Sequence, residues 1–267
     1  MKIKDIISSF VCAVALCACS EIGDDERFIT IDPVQPVRAV LIEEFTGQQC
    51  TNCPEGHAVI AALRKQHSTA VIPVSIHASR LSYTEDAMGG RIKALGIPEG
   101  ETYYKGAGEP NLPAAVIDRS GKALEKEDWA AAVTEALKQP AKVQIDVMAT
   151  YEEAKADIGV RLLSEDNIGG TLQVWLVENG IKAYQYDNGT RVWDYEHNHV
   201  LRSVVNGTSG TPIELKPNVY DEHKFSVDLL DKWTPANMAA VVFVFDRSGV
   251  LQAAEVPLII SESTVNQ

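Results

Sequence analysis

The hydrophobic pattern of the chain changes about halfway along. Between residues 38 and 140, short apolar runs alternate with amphipathic segments. Residues 40–45 and 71–77 are apolar runs that are typical of buried strands, and residues 53–67 repeat apolar side chains at helical spacing. This half of the chain is therefore predicted to alternate strands with helices.

The alternation ends with a second informative segment. Pro113 precedes a strand at residues 114–118, and a tight turn at residues 119–122 leads into a return strand that begins at Ala123. A helix with Trp129, Val133 and Leu137 on one face follows. Pro140 ends this helix and marks the predicted domain boundary.

Beyond Pro140 the pattern has the period of β-strands. Turn sequences containing Asn and Gly, such as Asn179-Gly180 and Asn206-Gly207, separate the predicted strands. Strands are predicted at residues 142–150, 157–163, 172–178, 200–205, 223–229, 240–246 and 250–256. About seven short strands without a helix predict an all-β immunoglobulin-like sandwich.

Composition narrows the possible functions. The chain has 267 residues, 45% of them hydrophobic and 23% charged, as in ordinary globular proteins. Its formal net charge is −13. This balance argues against a nucleic-acid partner, which requires clustered Lys and Arg, and against electrostatic docking on anionic lipid.

The N-terminus predicts a different route to a membrane. Lys2 and Lys4 precede an apolar stretch at residues 6–16 that is too short for a permanent membrane span. Residues 16–19, Leu-Cys-Ala-Cys, have the form of a bacterial lipobox. We therefore predict a lipoprotein signal peptide at residues 1–18 and lipidation of Cys19, with an ordinary secretory signal as the alternative.

Residues 19–37 form a predicted tether. Its acidic start, Ser-Glu-Ile-Gly-Asp-Asp-Glu at residues 20–26, is typical of a solvated linker and also resembles the export tags of surface-exposed Bacteroidetes lipoproteins. Processing before Cys19 would remove Cys12 and Cys17. Cys50 and Cys53 would then be the only free thiols of the mature chain.

The pair Cys50-Thr51-Asn52-Cys53 carries the candidate chemistry. A zinc site needs about four ligands, and the six histidines do not approach the pair with the usual spacing. A structural disulfide is a second possibility. Redox chemistry is the third, because a helix beginning near Cys53 would stabilise the thiolate of Cys50.

The segment from Leu41 to Pro54 resembles the strand and active site of the thioredoxin superfamily. The resemblance implies thiol–disulfide exchange in which Cys50 attacks and Cys53 resolves. It also implies a cis-proline at Pro113 and a buried acid at Glu44 that accepts the proton of Cys53, although Glu44 is equally consistent with a surface acid. Gln49, Thr51 and Asn52 depart from the family's usual residues, which argues against a general reductase.

The order of lipobox, cysteine pair and β-rich half resembles the Bacteroidetes outer-membrane lipoprotein family named after a twenty-eight-kilodalton protein. It implies a thioredoxin-like domain at residues 38–140 and a sandwich at residues 141–267. We expect an outer-membrane lipoprotein, displayed at the surface or facing the periplasm, that exchanges disulfides with an envelope partner. The alternative is a non-catalytic binding or adhesion protein that uses the first domain as a scaffold and binds an unknown peptide or glycan.

Two histidines are candidates for a further site. His197 and His199 stand two residues apart and would share one face of a strand, where both could bind a metal ion. Packing or hydrogen bonding in a loop is the alternative. No cofactor is predicted.

Overall fold

The structure is a computed structural model that describes residues 36–261, which lie in one compact unit. The predicted signal peptide, Cys19 and residues 19–35 of the tether lie outside the described residues. The three helices are α1 (Cys53–His67), α2 (Pro98–Gly106) and α3 (Trp129–Ala136). The strands are β1 (Val40–Thr46), β2 (Val71–His77), β3 (Ala114–Ile117), β4 (Gln144–Glu152), β5 (Lys155–Leu163), β6 (Ile168–Glu178), β7 (Ile181–Asp187), β8 (Thr190–His197), β9 (Val200–Val204), β10 (Thr211–Leu215), β11 (Asp221–Asp228), β12 (Met238–Asp246), β13 (Gly249–Pro257) and β14 (Ile259–Ile260).

The first three strands form a buried layer with helices on one face. β1 lies between β2, which is parallel to it, and β3, which is antiparallel. All seven residues of β1 are buried, as expected for a strand covered on both faces. Val40 and Ile42 face α1 and α3, where they pack with Ile60, Trp129 and other apolar side chains. Leu41 and Phe45 point into the core on the other face.

The layer continues into the β-rich half through a single pair of strand residues. Ser75 of β2 pairs with Val200 of β9, which gives one large sheet in the order β13-β12-β6-β9-β2-β1-β3, and β10 pairs with β6 beside β9. Pro73 lies where β2 lacks a partner on this side, so its missing N–H interrupts no strand pairing. The boundary predicted at Pro140 thus separates two segments that contribute strands to one sheet.

A second sheet covers the β-rich half. β11, β5, β4 and β14 form this four-stranded sheet. Alternate residues of β5, such as Ile158 and Val160, face the core, and they pack against Val174 of β6 and Val242 of β12 from the large sheet. Burial of these faces accounts for the two-residue period of the sequence.

Two expectations about local structure need correction. The return strand predicted from Ala123 is wrong, because only one bridge, between Ala115 and Leu124, forms there. All seven strands predicted beyond Pro140 are present, but β7, β8, β10 and β14 were not predicted. β7 and β8 pair only with each other in a separate two-stranded hairpin.

Candidate functional site

Cys50 and Cys53 form a disulfide at the start of α1. Cys50 ends the loop that follows β1, and Cys53 is the first helical residue, followed by Pro54. The positive end of the helix dipole therefore points at the pair. Cys50 is 4% exposed and Cys53 is fully buried, so neither sulfur is open to a partner in this conformation.

Glu44 and Pro113 meet beside the first turn of α1. A Cβ atom placed on Gly56 would lie 3.0 Å from Pro113 Cβ and 3.1 Å from Glu44 Oε1. The ring of Trp129 closes the same space at 3.1 Å. The Leu112–Pro113 peptide bond is cis, as the resemblance implied. Absence of a side chain at Gly56 thus lets three distant segments approach the helix.

Glu44 has few compensating contacts for a buried carboxyl group. It is fully buried, and its Oε2 accepts a hydrogen bond from the Ser75 hydroxyl at 2.8 Å, while Oε1 has no hydrogen-bond partner. His57 Nε2 lies 3.7 Å from Oε1. Burial raises the pKa of Glu44 to about 8, and the bond from Ser75 opposes this shift. The carboxyl group is consequently protonated near neutral pH.

Three histidines from separate elements cluster above Glu44. They are His57 of α1, His77 of β2 and His197 of β8. The ring centroid of His197 lies 5.2 Å from that of His77 and 6.2 Å from that of His57. The His57 ring is held at both nitrogens: Nε2 lies 2.9 Å from Thr46 Oγ1 and Nδ1 lies 2.8 Å from the Tyr195 hydroxyl.

A cavity of about 380 Å³ opens beside this cluster. Glu44, the three clustered histidines and His199 line it together with residues along one side of α1. Burial lowers the pKa of His57 to about 4 and that of His197 to about 3. Burial also lowers the pKa of His77, with further contributions from His197, His57 and Arg202. The imidazoles are therefore neutral at physiological pH.

The β7–β8 hairpin covers the disulfide. The amide of Tyr186 donates to Gln48 O at 2.8 Å, and that of Asn188 donates to Thr51 O at 3.2 Å. The buried amide of Gln185 donates to Gly47 O at 3.2 Å and to Cys50 O at 3.0 Å. These bonds fix the hairpin over the cysteine loop, and they account for the burial of Cys50.

The histidine pair predicted from sequence does not stay on one strand. β8 ends at His197, and His199 follows in a left-handed conformation with φ of 57°. Both line the cavity, but the neighbours of His197 are His77, His57 and Tyr195. Across residues 36–261, no three His, Cys, Asp or Glu side chains are grouped so as to hold a metal ion.

Sequence patterns did not predict several residues of the site. His57 follows Cys53 by one helical turn, and this spacing is a usable signal for a side chain near the cysteines. Tyr195 and His197 alternate along β8, which also indicates a shared face. Gln48 and Gln185 carry no such signal, because their roles depend on contacts between segments far apart in sequence.

The fold and the site define a class of predominantly β protein with a buried disulfide at a helix start. Residues 100–259 match the profile of a family described as outer membrane protein Omp28. This region exceeds half of the chain, so the protein belongs to the Omp28 family, which places it at the outer membrane. The match begins after the cysteine pair, so family membership carries no information about Cys50 and Cys53.

Two solved structures share the fold. HBP35 of Porphyromonas gingivalis superposes with a TM-score of 0.67 and 15% identity, over 85% of this chain and 78% of that protein. A structural-genomics protein of Agrobacterium tumefaciens gives 0.52 and 13% identity, over 87% and 99%. A domain of the outer membrane lipoprotein Omp28 from P. gingivalis gives 0.34 and 23% identity, over 46% and 92%.

The sequence has no significant match among curated proteins. Within residues 36–261, the helices all fall short of the length or apolar character that crossing a bilayer requires.

Proposed function

We propose that this outer-membrane protein is a lipoprotein that exchanges disulfides with an envelope partner through Cys50 and Cys53. In this proposal residues 38–140 are a thioredoxin-like unit, and residues 141–267 are an immunoglobulin-like sandwich that contacts the partner or acts as a spacer. Lipid on Cys19 anchors the chain, and the acidic tether carries it to the cell surface or leaves it facing the periplasm.

The observation that carries the proposal is the convergence at Gly56. A disulfide at a helix start, a cis-proline and a buried protonated carboxyl group all lie around one helical turn. Two of these features support exchange chemistry directly: the helix start stabilises a thiolate at Cys50, and a buried acid can hold or release the proton of Cys53. A purely structural disulfide has no need of the costly neighbour Glu44.

The exchange starts from the disulfide state of this structure. A thiolate of a partner dithiol attacks Cys50 Sγ, the Cys50–Cys53 bond breaks, and Cys53 leaves as a thiolate that takes a proton from Glu44. The second partner thiolate attacks the partner sulfur of the mixed disulfide and releases Cys50 as a thiolate. The partner is oxidised to a disulfide and the pair is reduced, and the reverse sequence reduces a partner disulfide.

This chemistry requires the β7–β8 hairpin to move. Cys50 is 4% exposed and Cys53 is fully buried, so an attacking sulfur needs more room than this conformation offers. Opening the hairpin breaks the bonds from Gln185, Tyr186 and Asn188 to the cysteine loop. Partner binding that displaces the hairpin would therefore restrict exchange to the correct partner.

The test uses a Cys53→Ser variant expressed in cells. Once Cys50 has attacked a partner disulfide, this variant cannot resolve the intermediate, so it should accumulate a mixed disulfide that reducing agent releases. Cys50→Ser/Cys53→Ser is the matched control and should trap nothing. Absence of any adduct in the single variant, with normal expression, would count against exchange.

The alternative function is a non-catalytic binding protein in which the disulfide is a structural staple. The observation that favours it is the burial of both cysteines under the hairpin. It predicts a folded protein whose disulfide resists dithiothreitol until the protein unfolds. Reduction under native conditions, with the circular dichroism spectrum preserved, would exclude this alternative.

The anchor is tested separately. Cys19→Ser should move the protein from the membrane to the soluble fraction, whereas Cys12→Ser should leave it in the membrane. Protease treatment of intact cells then separates the two orientations. Degradation without lysis supports surface display, and protection until lysis supports the periplasmic side.

A further inference from the structure

Glu44 has no direct contact with solvent. It is 0% exposed, although it borders the cavity, so a proton that enters or leaves its carboxyl group must cross another protein group. The side chain of His57 is 17% exposed, and its Nε2 lies 3.7 Å from Glu44 Oε1. Oε1 is also the carboxyl oxygen that lacks a hydrogen-bond partner. His57 is therefore a partly exposed cavity residue beside the unpaired oxygen of the buried carboxyl group.

The opposite side of the His57 ring leads outward. Its Nδ1 lies 2.8 Å from the hydroxyl of Tyr195, a partly exposed residue of the β7–β8 hairpin. Imidazole can accept a proton at one nitrogen and release one from the other. His57 thus lies between Glu44 and a partly exposed hydroxyl, with a hydrogen bond to Tyr195 on one side. On the other side its Nε2 is bonded to Thr46 Oγ1, and the 3.7 Å to Glu44 Oε1 exceeds a hydrogen bond, so a small shift of the carboxyl group or the ring must close this gap before a proton passes.

We infer that His57 is a positioning residue that carries protons between Glu44 and solvent, with Tyr195 as its outer contact. The inference rests on the proposed function for its role in exchange, but the proton path itself exists in the oxidised protein. After Glu44 has given its proton to Cys53, His57 Nε2 exchanges Thr46 Oγ1 for Glu44 and releases its proton to the carboxylate, while Nδ1 takes a proton from the Tyr195 hydroxyl. The Tyr195 phenolate then takes a proton from solvent water, which leaves as hydroxide. Each transfer breaks one N–H or O–H bond and forms another.

Other groups around Glu44 offer only partial routes. Ser75 donates to Oε2 but is 4% exposed, and His77 is 2% exposed with no hydrogen-bond partner at either nitrogen. The ring centroid of His197 lies 6.2 Å from that of His57, and His199 and Arg64 also line the cavity. His57 is the group among these that contacts both Glu44 and a partly exposed hydroxyl.

The experiment measures the proton exchange of Glu44 in the oxidised, full-length processed protein. Infrared absorption of the protonated carboxyl group follows its loss after a rapid jump to alkaline pH, and Glu44→Gln identifies the band. His57→Ala should slow the exchange about a hundredfold, the low end of what a positioned acid–base group contributes. Added imidazole should restore the rate, because the variant leaves a space of the same shape beside the cavity.

Two further variants separate the routes. Tyr195→Phe keeps the ring and should slow exchange by a smaller factor, whereas Ser75→Ala should leave the rate close to that of the wild type. Exchange in His57→Ala that is as fast as in the wild type would overturn the inference. So would a slow His57→Ala variant that imidazole does not rescue, or a larger loss in Ser75→Ala.

Failure of this inference is distinguishable from failure of the proposed function. Slowed exchange in His57→Ala with rescue by imidazole supports the relay even if Cys53→Ser traps no partner. Trapped partners together with an unchanged exchange rate in His57→Ala would support disulfide exchange and reject the relay.

Discussion

Glu43 and Glu44 are neighbours on β1, yet they have opposite environments. Glu43 faces one side of the sheet, where Arg119 binds it through Nε and Nη2 at 3.1 to 3.3 Å. The guanidinium of Arg119 also lies 4.7 Å from the Phe243 ring and 4.4 Å from the Phe245 ring. Glu44 faces the other side, where it has one hydroxyl donor and no cation in contact.

The difference shows how one strand can serve structure and chemistry at once. Alternation along β1 sends adjacent carboxyl groups to opposite faces, so the two sites differ by one residue in sequence. The Glu43–Arg119 pair satisfies its buried charges and joins β1 to the β-rich half. Glu44 is left with an unpaired oxygen, and its pKa of about 8 makes it suitable for proton transfer.

Loss of the Glu43–Arg119 ion pair should have the largest effect on stability. Arg119→Ala leaves Glu43 buried without a cation, which we expect to lower the free energy of unfolding by about 3 to 5 kcal/mol. Urea unfolding at neutral pH measures this loss. The double variant Glu43→Gln/Arg119→Met should recover much of it, and Lys182→Ala, which breaks an exposed pair with Glu196, should leave stability close to that of the wild type. A small loss of unfolding free energy in Arg119→Ala would show that Glu43 does not depend on Arg119 and that the two faces of β1 do not differ in this way.

The second largest effect is expected for the β7–β8 hairpin, which controls access to the disulfide. Gln185→Ala removes the amide that binds Gly47 O and Cys50 O, which should ease hairpin opening by about 2 kcal/mol. We expect the disulfide to be reduced by dithiothreitol about 30-fold faster in the folded protein, as measured by alkylation and mass spectrometry. Gln173→Ala is the matched control, because Gln173 is equally buried and binds Asn206 and Gly207 away from the cysteines. Equal acceleration in both variants would show that general destabilisation is the cause.

The third prediction concerns pH. The pKa of Glu44 is raised from 4.5 to about 8, so the folded protein holds a proton that the unfolded chain releases, and stability falls as pH rises between these values. The pKa of His57 and that of His197 are lowered from 6.5 to about 4 and about 3, so stability also falls as pH drops below 6.5. Two histidine pKa values are lowered and one carboxyl pKa is raised among these three groups, so the histidines dominate below pH 6.5. Maximum stability is therefore expected near pH 6.5.

Above this maximum Glu44 acts alone among these groups. The loss between about pH 6.5 and 8 should reach about 2 kcal/mol, since one pH unit corresponds to about 1.4 kcal/mol for one group. Urea unfolding across this range measures it. Glu44→Gln should abolish the decline, and a decline that persists in this variant would assign it to another group.

Sequence patterns predicted most of the elements around Glu44, but they did not predict the β7–β8 hairpin that covers the disulfide. The bounds of α1 and β2 follow from local periodicity, and Cys50, Cys53, Glu44 and Pro113 lie within such segments. The hairpin was missed because β7 and β8 pair only with each other and are held by contacts more than a hundred residues away in sequence. Likewise, two segments that were predicted as separate domains share one sheet through the pairing of Ser75 with Val200 and share an apolar core.

The smallest expected effect concerns the hydrogen bond between Ser75 and Glu44. Ser75→Ala removes the hydroxyl that donates to its carboxyl group, which should cost about 1 kcal/mol and raise the pKa of Glu44 further above 8. Infrared titration of the carboxyl band measures this shift. A pKa that falls instead would mean that Ser75 stabilises the protonated form.

The most direct test of the central claim is the redox equilibrium of Cys50 and Cys53 in glutathione buffers of defined ratio. Alkylation and mass spectrometry give the reduced fraction, and circular dichroism monitors folding in the same samples. We predict a reversible two-electron transition in the folded protein, reached faster in Gln185→Ala than in Gln173→Ala. A disulfide that stays oxidised at every ratio until the fold is lost would contradict the account and identify the pair as a structural staple.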